Sequence, residues 1–432
     1  MERVVASRIT DYIDENNLLP QHQSAYRRGH STETAMVKVF NDIAHALDDG
    51  SVVILVLLDL SAAFDVVNHD ILCQRLKNRF GISGTAYKWL RSYLSDRSQY
   101  VCIDDQVSEK ISLDCGVPQG SVLGPLLFSM YTTPLSDIAK VHGLDDHFYA
   151  DDSQLYVAFK PKTDRVSDVV TRVEACVSDV KSWMLANRLK LNDDKTELIV
   201  FSTRCNNNIS ESIRIKIGDA VIEPCPIVRD LGVFLDEHLS MESHVSKLRQ
   251  CAYQQLRMVG RIRPCLTVDA TKSLMRNLVL TRLDYCNALL TGIPAYLSKK
   301  LQLVQNNAAR IVYRLRKYDH ISPALISLHW LPMKFRPQYK LCLLTFKCVK
   351  GSGPIYLSNL LNLKEATRSL RSSRDSMLLQ LPRTSSRLGE RAFSVAAPTI
   401  WNSLPIELRM EENLESFKKK LKTHFCVIAY ED

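Results

Sequence analysis

The hydrophobic and polar positions in the first half of the chain alternate between strand-like and helix-like spacing. Residues 1–48 have the pattern of two amphipathic helices with a loop between them. The run at 51–59, SVVILVLLD, consists almost entirely of β-branched residues and leucine, which is typical of a strand buried on both faces. Residues 68–94 are predicted to form one helical stretch, and a hairpin around Asp104-Asp105 is predicted to follow it.

Further along, shorter elements precede a mainly helical region. The predicted helices are 123–131 and 165–187, and the predicted strands are 147–150, 153–159, 197–201 and 228–235. Beyond residue 240, apolar residues recur at helical spacing in the segments 244–262, 269–282 and 297–313. Residues 351–395 are richer in Ser, Arg and Gly and are predicted to be loosely structured. The order of elements predicts an α+β half followed by an all-α half.

The composition is that of an ordinary globular protein. The 432 residues suggest two to three domains, and the 46% apolar and 24% charged residues argue against a disordered chain. No apolar run reaches the roughly 18 residues that a membrane helix needs, and the N-terminus lacks the apolar core of a signal peptide. We therefore expect an intracellular protein without a membrane partner, for which nucleus and cytoplasm are both compatible locations.

Twelve cysteines are scattered along the chain without a CxxC pair or a zinc-knuckle spacing. They are Cys73, Cys102, Cys115, Cys176, Cys205, Cys225, Cys251, Cys265, Cys286, Cys342, Cys348 and Cys426. This scatter predicts free thiols in a reducing compartment rather than a disulfide framework.

Net charge is distributed unevenly. Residues 1–236 contain 25 Lys and Arg against 33 Asp and Glu, a net charge of −8, whereas residues 237–432 contain 31 against 14, a net charge of +17. A basic surface of that size suggests a polyanionic partner, because Lys and Arg release counterions from phosphate backbones. A solubilising surface without a ligand explains the charge alone equally well.

Three acidic residues stand out by their position relative to the predicted strands. Asp59 ends the apolar strand, and Asp151 and Asp152 lie at a tight turn between two β-prone runs. Carboxylates at strand ends and hairpin turns can face one another at one edge of a sheet, as two divalent cations roughly 3.5–4 Å apart require. The alternative, a charged turn and a strand-terminal Asp without chemistry, stays open on the acids alone.

The residues around these acids resemble a known family. FYADD at 148–152 resembles the YxDD box of reverse transcriptases, DLSAAFD at 59–65 their first palm motif, and GVPQGSVLGP at 116–125 their PQG motif. LNDDKTE at 191–197 resembles the family's next motif, and DLGV at 230–233 resembles the strand turn that grips the primer. LDYCNALL at 283–290, VQNNAAR at 304–310 and APTIWN at 397–402 resemble the C-terminal half of jockey-like and chicken-repeat-like LINE (non-LTR) retrotransposon proteins. Residues 1–5 resemble a helix that follows the fingertip hairpin in those proteins.

The resemblance implies the metal ligands. Asp59 and Asp151 would be the principal ligands of two Mg²⁺ ions, with Mn²⁺ as an alternative. Asp152 would be a weaker ligand, and Leu60 would offer its backbone carbonyl.

The resemblance also implies three substrate-binding residues. Phe64 corresponds to the steric gate that excludes a ribose 2′-hydroxyl, with a core aromatic as the alternative. Gln119 would touch the incoming nucleotide or the template from a loop that Gly116 and Gly120 keep flexible. Lys195 would neutralise or protonate the leaving pyrophosphate, and a solvated lysine is the alternative.

A right-hand polymerase fold follows from the same resemblance. The expected domains are a fingers remnant at 1–45, a palm at 46–236, a helical thumb at 237–320 and a C-terminal region of unknown role at 321–432, with 1–236 as the whole reverse transcriptase domain. The fingertip hairpin and the upstream endonuclease of the family have no counterpart, so the sequence is expected to be truncated on its N-terminal side. Arg27 and Arg28 are weak substitutes for the fingertip cations.

The function expected from the resemblance is RNA-directed DNA polymerisation, with an RNA template, a DNA primer and a deoxynucleoside triphosphate as partners and no protein partner that can be inferred. A catalytically poor remnant or host-adopted nucleic-acid-binding protein is the alternative from a different class. An RNA-dependent RNA polymerase conflicts with YADD in place of GDD and with Phe64.

Overall fold

The computed structural model describes residues 1–61, 63–203, 209, 212–218, 220–364 and 377–430. Ala62 of the first motif, the predicted free thiol of Cys205 and the centre of the predicted loose segment, 365–376, lie outside the described residues.

Helices occur along the whole described chain. They are α1 (Glu2–Glu15), α2 (Thr32–Asp48), α3 (His69–Asn78), α4 (Gly84–Leu94), α5 (Gly124–Thr132), α6 (Pro134–Val141), α7 (Val166–Ala186), α8 (Glu242–Ile262), α9 (Val268–Met275), α10 (Thr281–Asp284), α11 (Ala295–Tyr313), α12 (Ser322–Ser327), α13 (Arg336–Val349), α14 (Ile355–Ser358), α15 (Phe393–Ser403), α16 (Ile406–Arg409) and α17 (Leu414–Tyr430). A π-helical turn (Arg276–Leu280) joins α9 to α10, and short 3₁₀ turns form at Asp193–Lys195, Arg263–Cys265, Asn287–Leu290 and Gly389–Arg391.

The strands are concentrated before residue 237. They are β1 (Val52–Leu58), β2 (Leu60–Ser61), β3 (Ser98–Gln99), β4 (Cys102–Ile103), β5 (Gln106–Val107), β6 (Ile111–Ser112), β7 (Asp145–Tyr149), β8 (Asp152–Phe159), β9 (Lys190–Leu191), β10 (Glu197–Phe201), β11 (Ile215–Ile217), β12 (Ala220–Ile222), β13 (Ile227–Asp230) and β14 (Val233–Asp236). The largest sheet has the order β10-β1-β8-β7, and the others are two-stranded.

The chain divides into two compact units. The first comprises Met1–Ser31, Val53–Val200 and Asn208–Cys225, and the second comprises Thr32–Val52, Phe201–Asn207 and Pro226–Asp432. The predicted domain boundaries at 45, 236 and 320 stay a prediction.

The four-stranded sheet forms the core of the first unit. β1 lies between β10 and β8, so six of its seven residues are buried, as its continuous apolar sequence predicted. α7 packs against α6 and β11 through a buried apolar stripe that includes Val169, Val173 and Val180. The predicted hairpin around Asp104-Asp105 is present as the pairs β3–β6 and β4–β5, and every residue of these four strands is exposed.

Two sequence-based elements need correction. The helical stretch predicted for 68–94 is two helices, because Gly81 adopts φ +65° and Ile82 N–H bonds back to the Leu76 carbonyl, which ends α3. The strand predicted for 228–235 is the hairpin β13–β14, because Leu231 and Gly232 both take positive φ between its strands.

The second unit is mainly helical, as the apolar spacing beyond residue 240 predicted. α8 packs against α11 and β14, and the segments α9 to α10 pack against α8. Further on, a buried cluster centred on Phe346, Trp401 and Phe417 joins α13, α15 and α17.

The predicted loose segment at 351–395 is more ordered in its described parts than expected. It contains α14, a β-bridge between Leu363 and Leu379, and the start of α15. The Trp401 indole N–H donates to the Met377 carbonyl at 2.8 Å, which ties the end of this segment to the cluster. The order of this segment comes from the buried Trp401 ring, whose indole N–H is paired. A composition rich in Ser and Arg does not reveal such a contact.

The cysteines of the described chain are all free thiols, as predicted. No helix in the described ranges combines the length and the apolar character needed to cross a membrane.

Candidate functional site

Three carboxylates meet at one edge of the four-stranded sheet. Asp59 directly follows β1, and Asp152 begins the neighbouring strand β8. Tyr149 pairs with Asp152, so Ala150 and Asp151 form the two-residue turn between β7 and β8, and Ala150 is held at φ +58°. Left-handed backbone at a non-glycine residue is uncommon and marks a turn imposed by its surroundings.

The pKa of Asp152 reflects the charges of the two other acids. Partial desolvation, together with the charges of Asp151 and Asp59, raises the pKa of Asp152 to about 6, although its side chain is open to solvent. Like charges disfavour each other's ionised form only over short distances. Asp152 therefore lies within electrostatic reach of both Asp59 and Asp151.

Asp59 is held by its backbone and contacted by one cation. Its carbonyl accepts a hydrogen bond from Asn192 N–H at 2.9 Å, next to the pairing of Leu60 with Leu191. The 3₁₀ turn at Asp193–Lys195 then brings Lys195 Nζ to 3.3 Å from Asp59 Oδ2. The Asp59 Oδ2 atom is buried and accepts no hydrogen bond. The Lys195 ammonium therefore pairs with its charge but does not donate a hydrogen bond to it.

The donor set fits a hard divalent cation. Mg²⁺ prefers oxygen ligands, and Asp59 offers a buried carboxylate oxygen beside two acids whose repulsion a cation would relieve. Within the part of the chain that the structure describes, no three His, Cys, Asp or Glu side chains are grouped closely enough to hold a metal ion alone. Mg²⁺ usually keeps several waters and uses one or two carboxylates plus substrate phosphates. The residues therefore fit a cation that is bound jointly with a phosphate ligand.

Phe64 lies in the loop that follows β2. Its ring stacks on Phe128, with ring centroids 4.5 Å apart, and its side chain is half-buried. Its carbonyl accepts a hydrogen bond from Val117 N–H at 2.9 Å. Both the steric-gate interpretation and the core-aromatic alternative are compatible with a ring that packs on one face.

The PQG loop is anchored against this segment, which corrects the expectation that Gly116 makes it flexible. Gly116 N–H donates to the Val67 carbonyl at 2.8 Å, and a Cβ at Gly116 would lie 2.8 Å from the Asp65 carbonyl oxygen. Glycine is required here for close backbone approach. Gln119 is exposed, and its Nε2 donates to Asp65 Oδ1 at 2.9 Å.

The family follows from a comparison of the whole sequence. The sequence profile described as reverse transcriptase (RNA-dependent DNA polymerase) matches residues 1–252, which is more than half of the chain. The chain belongs to the reverse transcriptase family. The predicted LINE-type (non-LTR) kinship and the predicted fold class, an α+β palm followed by an all-α region, are confirmed. Reverse transcriptases generally use divalent metal ions.

Two curated relatives from Drosophila melanogaster are similar to this reverse transcriptase. The probable RNA-directed DNA polymerase from transposon BS is 29% identical over 320 residues, which are 72% of this chain and 34% of that protein. The RNA-directed DNA polymerase from mobile element jockey is 26% identical over 255 residues, which are 58% of this chain and 27% of that protein. The chain thus spans about a third or less of the length of these relatives.

Among solved structures, apo telomerase from Candida tropicalis is similar in part. The match covers 81% of this chain and 57% of the telomerase chain, at 11% sequence identity and a TM-score of 0.42.

Sequence reasoning missed one aromatic residue beside the carboxylates of this reverse transcriptase. Ser24 N–H donates to the Phe148 carbonyl at 2.9 Å, and Gln23 forms an isolated parallel β-bridge with Phe148 of β7. Tyr26 follows with φ +58°, and desolvation and the charge of Asp151 raise its pKa. Tyr26 lies in the polar stretch QSAYRRGHST at 23–32, in which only the arginines indicate a charged ligand.

Those arginines are engaged within the first unit. Arg28 forms an ion pair with Asp11 at 2.7 Å, and Arg27 donates to the carbonyls of Pro20 and Gln23. Their use as fingertip cations stays a prediction that these contacts do not favour.

The LDYCNALL segment, to which the sequence assigned no chemistry, supports the turn of the β13–β14 hairpin within the second unit. Tyr285 donates its hydroxyl hydrogen to the Leu231 carbonyl at 2.6 Å. A Cβ at Gly232 would lie 3.2 Å from the Tyr285 ring, so the ring and the turn fit together only with glycine at that position.

One of the eight Lys and Arg residues in 247–282 is structural. Arg263 is buried and donates to the carbonyls of Ile311 and Val312 at the end of α11, and of Leu266. The other seven are exposed or half-buried and form no ion pair within the described residues. They are Lys247, Arg249, Arg257, Arg261, Lys272, Arg276 and Arg282.

Proposed function

We propose that this chain catalyses RNA-directed DNA synthesis for a non-LTR retrotransposon. The reaction transfers a nucleotide from a deoxynucleoside triphosphate to the 3′-hydroxyl of a DNA primer that is paired with an RNA template. The observation that carries the proposal is the shared sheet edge of Asp59, Asp151 and Asp152, within a chain whose family is reverse transcriptase.

The catalytic roles fall to the residues at that edge. Asp59, Asp151, Asp152 and the backbone carbonyl of Leu60 would hold two Mg²⁺ ions, or Mn²⁺ in their place. When bound, such ions lower the pKa of a primer hydroxyl and stabilise a leaving pyrophosphate. By holding these ions, the carboxylates would position the primer hydroxyl and the triphosphate.

Three residues of the first unit would contact the nucleotide. Phe64, which stacks on Phe128, would exclude a 2′-hydroxyl with its ring, and Gln119 would bind from the anchored PQG loop. Lys195 is largely exposed. Its side chain would turn from Asp59 to a phosphate oxygen, where its ammonium would neutralise or protonate the leaving group.

The template–primer duplex would be held through its phosphates by the basic helices of the second unit. The seven accessible Lys and Arg residues of 247–282 supply charge without base specificity, because contacts to phosphate carry no sequence information.

A second candidate, a nucleic-acid-binding remnant without catalysis, is favoured by one observation. The +17 charge of residues 237–432 predicts duplex binding whether or not the carboxylates are competent. Such a protein would bind template and primer as tightly as an active polymerase does, but would add no nucleotide.

Primer extension separates the two. The full chain is incubated with poly-rA/oligo-dT, Mg²⁺ and dTTP, and binding of the same duplex is measured in parallel. Extension that requires dTTP and a divalent metal supports the polymerase. Tight binding without extension in Mg²⁺ or Mn²⁺ would reject it in favour of the remnant.

A further inference from the structure

The loop after β2 and the PQG loop meet along their backbones. Gly116 N–H donates to the Val67 carbonyl at 2.8 Å, and Val117 N–H donates to the Phe64 carbonyl at 2.9 Å. His69 Nε2 lies 2.7 Å from the Gly116 carbonyl oxygen. These three polar contacts fix the register of one segment against the other.

Asp65 lies at the point of closest approach. Its carbonyl oxygen would be 2.8 Å from a Cβ at Gly116, and Gly116 has φ +88°, so only glycine permits this distance. The Cys115 thiol also points to the Asp65 carbonyl, at 3.5 Å. The backbone of Asp65 is thereby held, and its exposed carboxylate reaches Gln119, with Oδ1 at 2.9 Å from Nε2.

The chemistry of the two groups sets the orientation of the amide. An ionised carboxylate can only accept hydrogen bonds, whereas a carboxamide has an NH₂ donor on one side and a carbonyl acceptor on the other. Asp65 therefore selects the rotamer of Gln119 in which NH₂ faces the carboxylate. The Oε1 atom then faces away from Asp65.

We propose that Asp65 is a positioning residue for nucleotide recognition, which orients the Gln119 amide so that its oxygen accepts a hydrogen bond from the incoming nucleotide. The inference rests on the proposed function, in which Gln119 touches that nucleotide. Asp65 itself contacts no substrate and acts through Gln119.

A structural brace makes a different prediction. If Asp65 only held the loops together, its loss would lower stability and affect every property of the site, whether or not Gln119 were present. If it orients the amide, its loss has no further effect once Gln119 has been replaced.

The test is a double-mutant cycle read out by equilibrium nucleotide binding. The full chain is assembled with an RNA template and a DNA primer that ends in a dideoxynucleotide, so that no bond can form, and the Kd of the matched dNTP is measured with Mg²⁺ present. The variants are Asp65→Ala, Gln119→Ala and the double variant. Asp114→Ala is the control, because Asp114 is also exposed at this loop but contacts Ser112 instead of Gln119.

We expect Asp65→Ala to raise the Kd about three- to tenfold, the range of one lost hydrogen bond. Gln119→Ala should raise it at least as much, and the double variant should match Gln119→Ala. Asp114→Ala should bind as the wild type does. Asp65→Asn should fall between wild type and Asp65→Ala, because an amide accepts a hydrogen bond but no longer enforces which side of Gln119 faces it.

Additive effects of Asp65→Ala and Gln119→Ala would overturn the inference, and so would an unchanged Kd for Asp65→Ala or a chain that binds no nucleotide. With an extendable primer, the same variants should raise KM for dNTP and change kcat little. A wild type that binds nucleotide but does not extend the primer would reject the proposed polymerase function, while the binding cycle would still decide the role of Asp65.

Discussion

Lys195 Nζ lies 3.3 Å from Asp59 Oδ2, so the proposed leaving-group cation and the proposed principal metal ligand are ion-paired. The lysine side chain is 69% exposed and the aspartate 27% exposed, which makes this a weak, solvent-screened pair that a divalent cation would displace. One lysine can thus neutralise Asp59 before substrate binds and be free to approach a phosphate afterwards.

Replacement of Lys195 should therefore affect the chemical step more than binding. Lys195→Ala should lower kcat about 10²-fold or more, the contribution of a positioned general acid, with a smaller change in KM for dNTP. Steady-state primer extension measures both constants. Lys181→Ala is the control, because Lys181 pairs with Asp193 instead. Equal activity of Lys195→Ala and wild type would leave Lys195 as a solvated lysine.

Replacement of a principal metal ligand should abolish synthesis without loss of duplex binding. Asp59→Ala or Asp151→Ala should lower incorporation at least about a thousandfold, because several kcal/mol of charge stabilisation depend on the cations. Primer extension and duplex binding are measured side by side. Asp194→Ala, in an exposed turn, should remain active. Wild-type incorporation by Asp59→Ala would contradict the two-metal assignment.

Sugar selection should depend on the bulk of Phe64. Phe64→Val should raise ribonucleotide use relative to deoxynucleotide use about tenfold or more, because a smaller side chain removes a clash without removing a ligand. Phe64→Tyr keeps the bulk and should keep the discrimination. Competition between rNTP and dNTP in single-nucleotide extension measures the ratio. Since Phe64 stacks on Phe128, thermal unfolding is measured too, and lost stability with unchanged discrimination would assign Phe64 to the core.

Replacement of Arg257 should change the salt dependence of duplex binding, whereas replacement of Arg263 should change stability. Arg257→Ala should make the slope of log affinity for duplex against log salt less steep by about 0.9, out of a total of roughly −3 to −5 for the accessible basic residues. Arg263→Ala should instead lower the free energy of unfolding by about 2–4 kcal/mol, because it leaves buried carbonyls unpaired. Duplex titrations at several salt concentrations and denaturant unfolding distinguish them. A salt effect of Arg263→Ala without lost stability would contradict its buried role.

His244 should make the protein sensitive to acid. Burial lowers its pKa to about 4 from 6.5, and its Nδ1 accepts a 3.4 Å hydrogen bond from Phe234 N–H. A histidine whose folded pKa is lowered contributes stability that is complete above its unfolded pKa and is lost as pH falls towards 4. The loss amounts to about 3 kcal/mol over that window.

Denaturant midpoints between pH 7.5 and 4.5 test this. His244→Asn keeps an acceptor near Phe234 but cannot be protonated, so its midpoint should fall less with acidity than that of the wild type. His320→Gln, at an exposed position, should follow the wild type. Parallel curves for His244→Asn and wild type would show that another group sets the acid sensitivity.

The elements of the site were accessible to sequence reasoning because their signals are local. A continuous apolar run predicted a strand buried on both faces, and Asp59 directly follows that strand. β-prone runs around Asp151 and Asp152 predicted the hairpin, whose pairing of Tyr149 with Asp152 is observed. Two local predictions were wrong, since 68–94 is two helices and 228–235 is a hairpin. Both breaks occur at glycines with positive φ, Gly81 and Gly232, and the periodicity of apolar residues does not indicate such backbone angles.

The contacts between these elements were decided by the tertiary structure alone. The sequence by itself determined the strand, the turn and the order of the motifs, because side-chain periodicity and turn chemistry act over a few residues. It could not reveal that Asp65 accepts from Gln119, 54 positions away, or that Arg263 is buried while Arg257 is exposed. Such pairings depend on which loops and helices the folded chain brings together, and residue type constrains that choice only weakly. Chemistry at this site therefore follows from local sequence, whereas the orientation of its side chains follows from long-range packing.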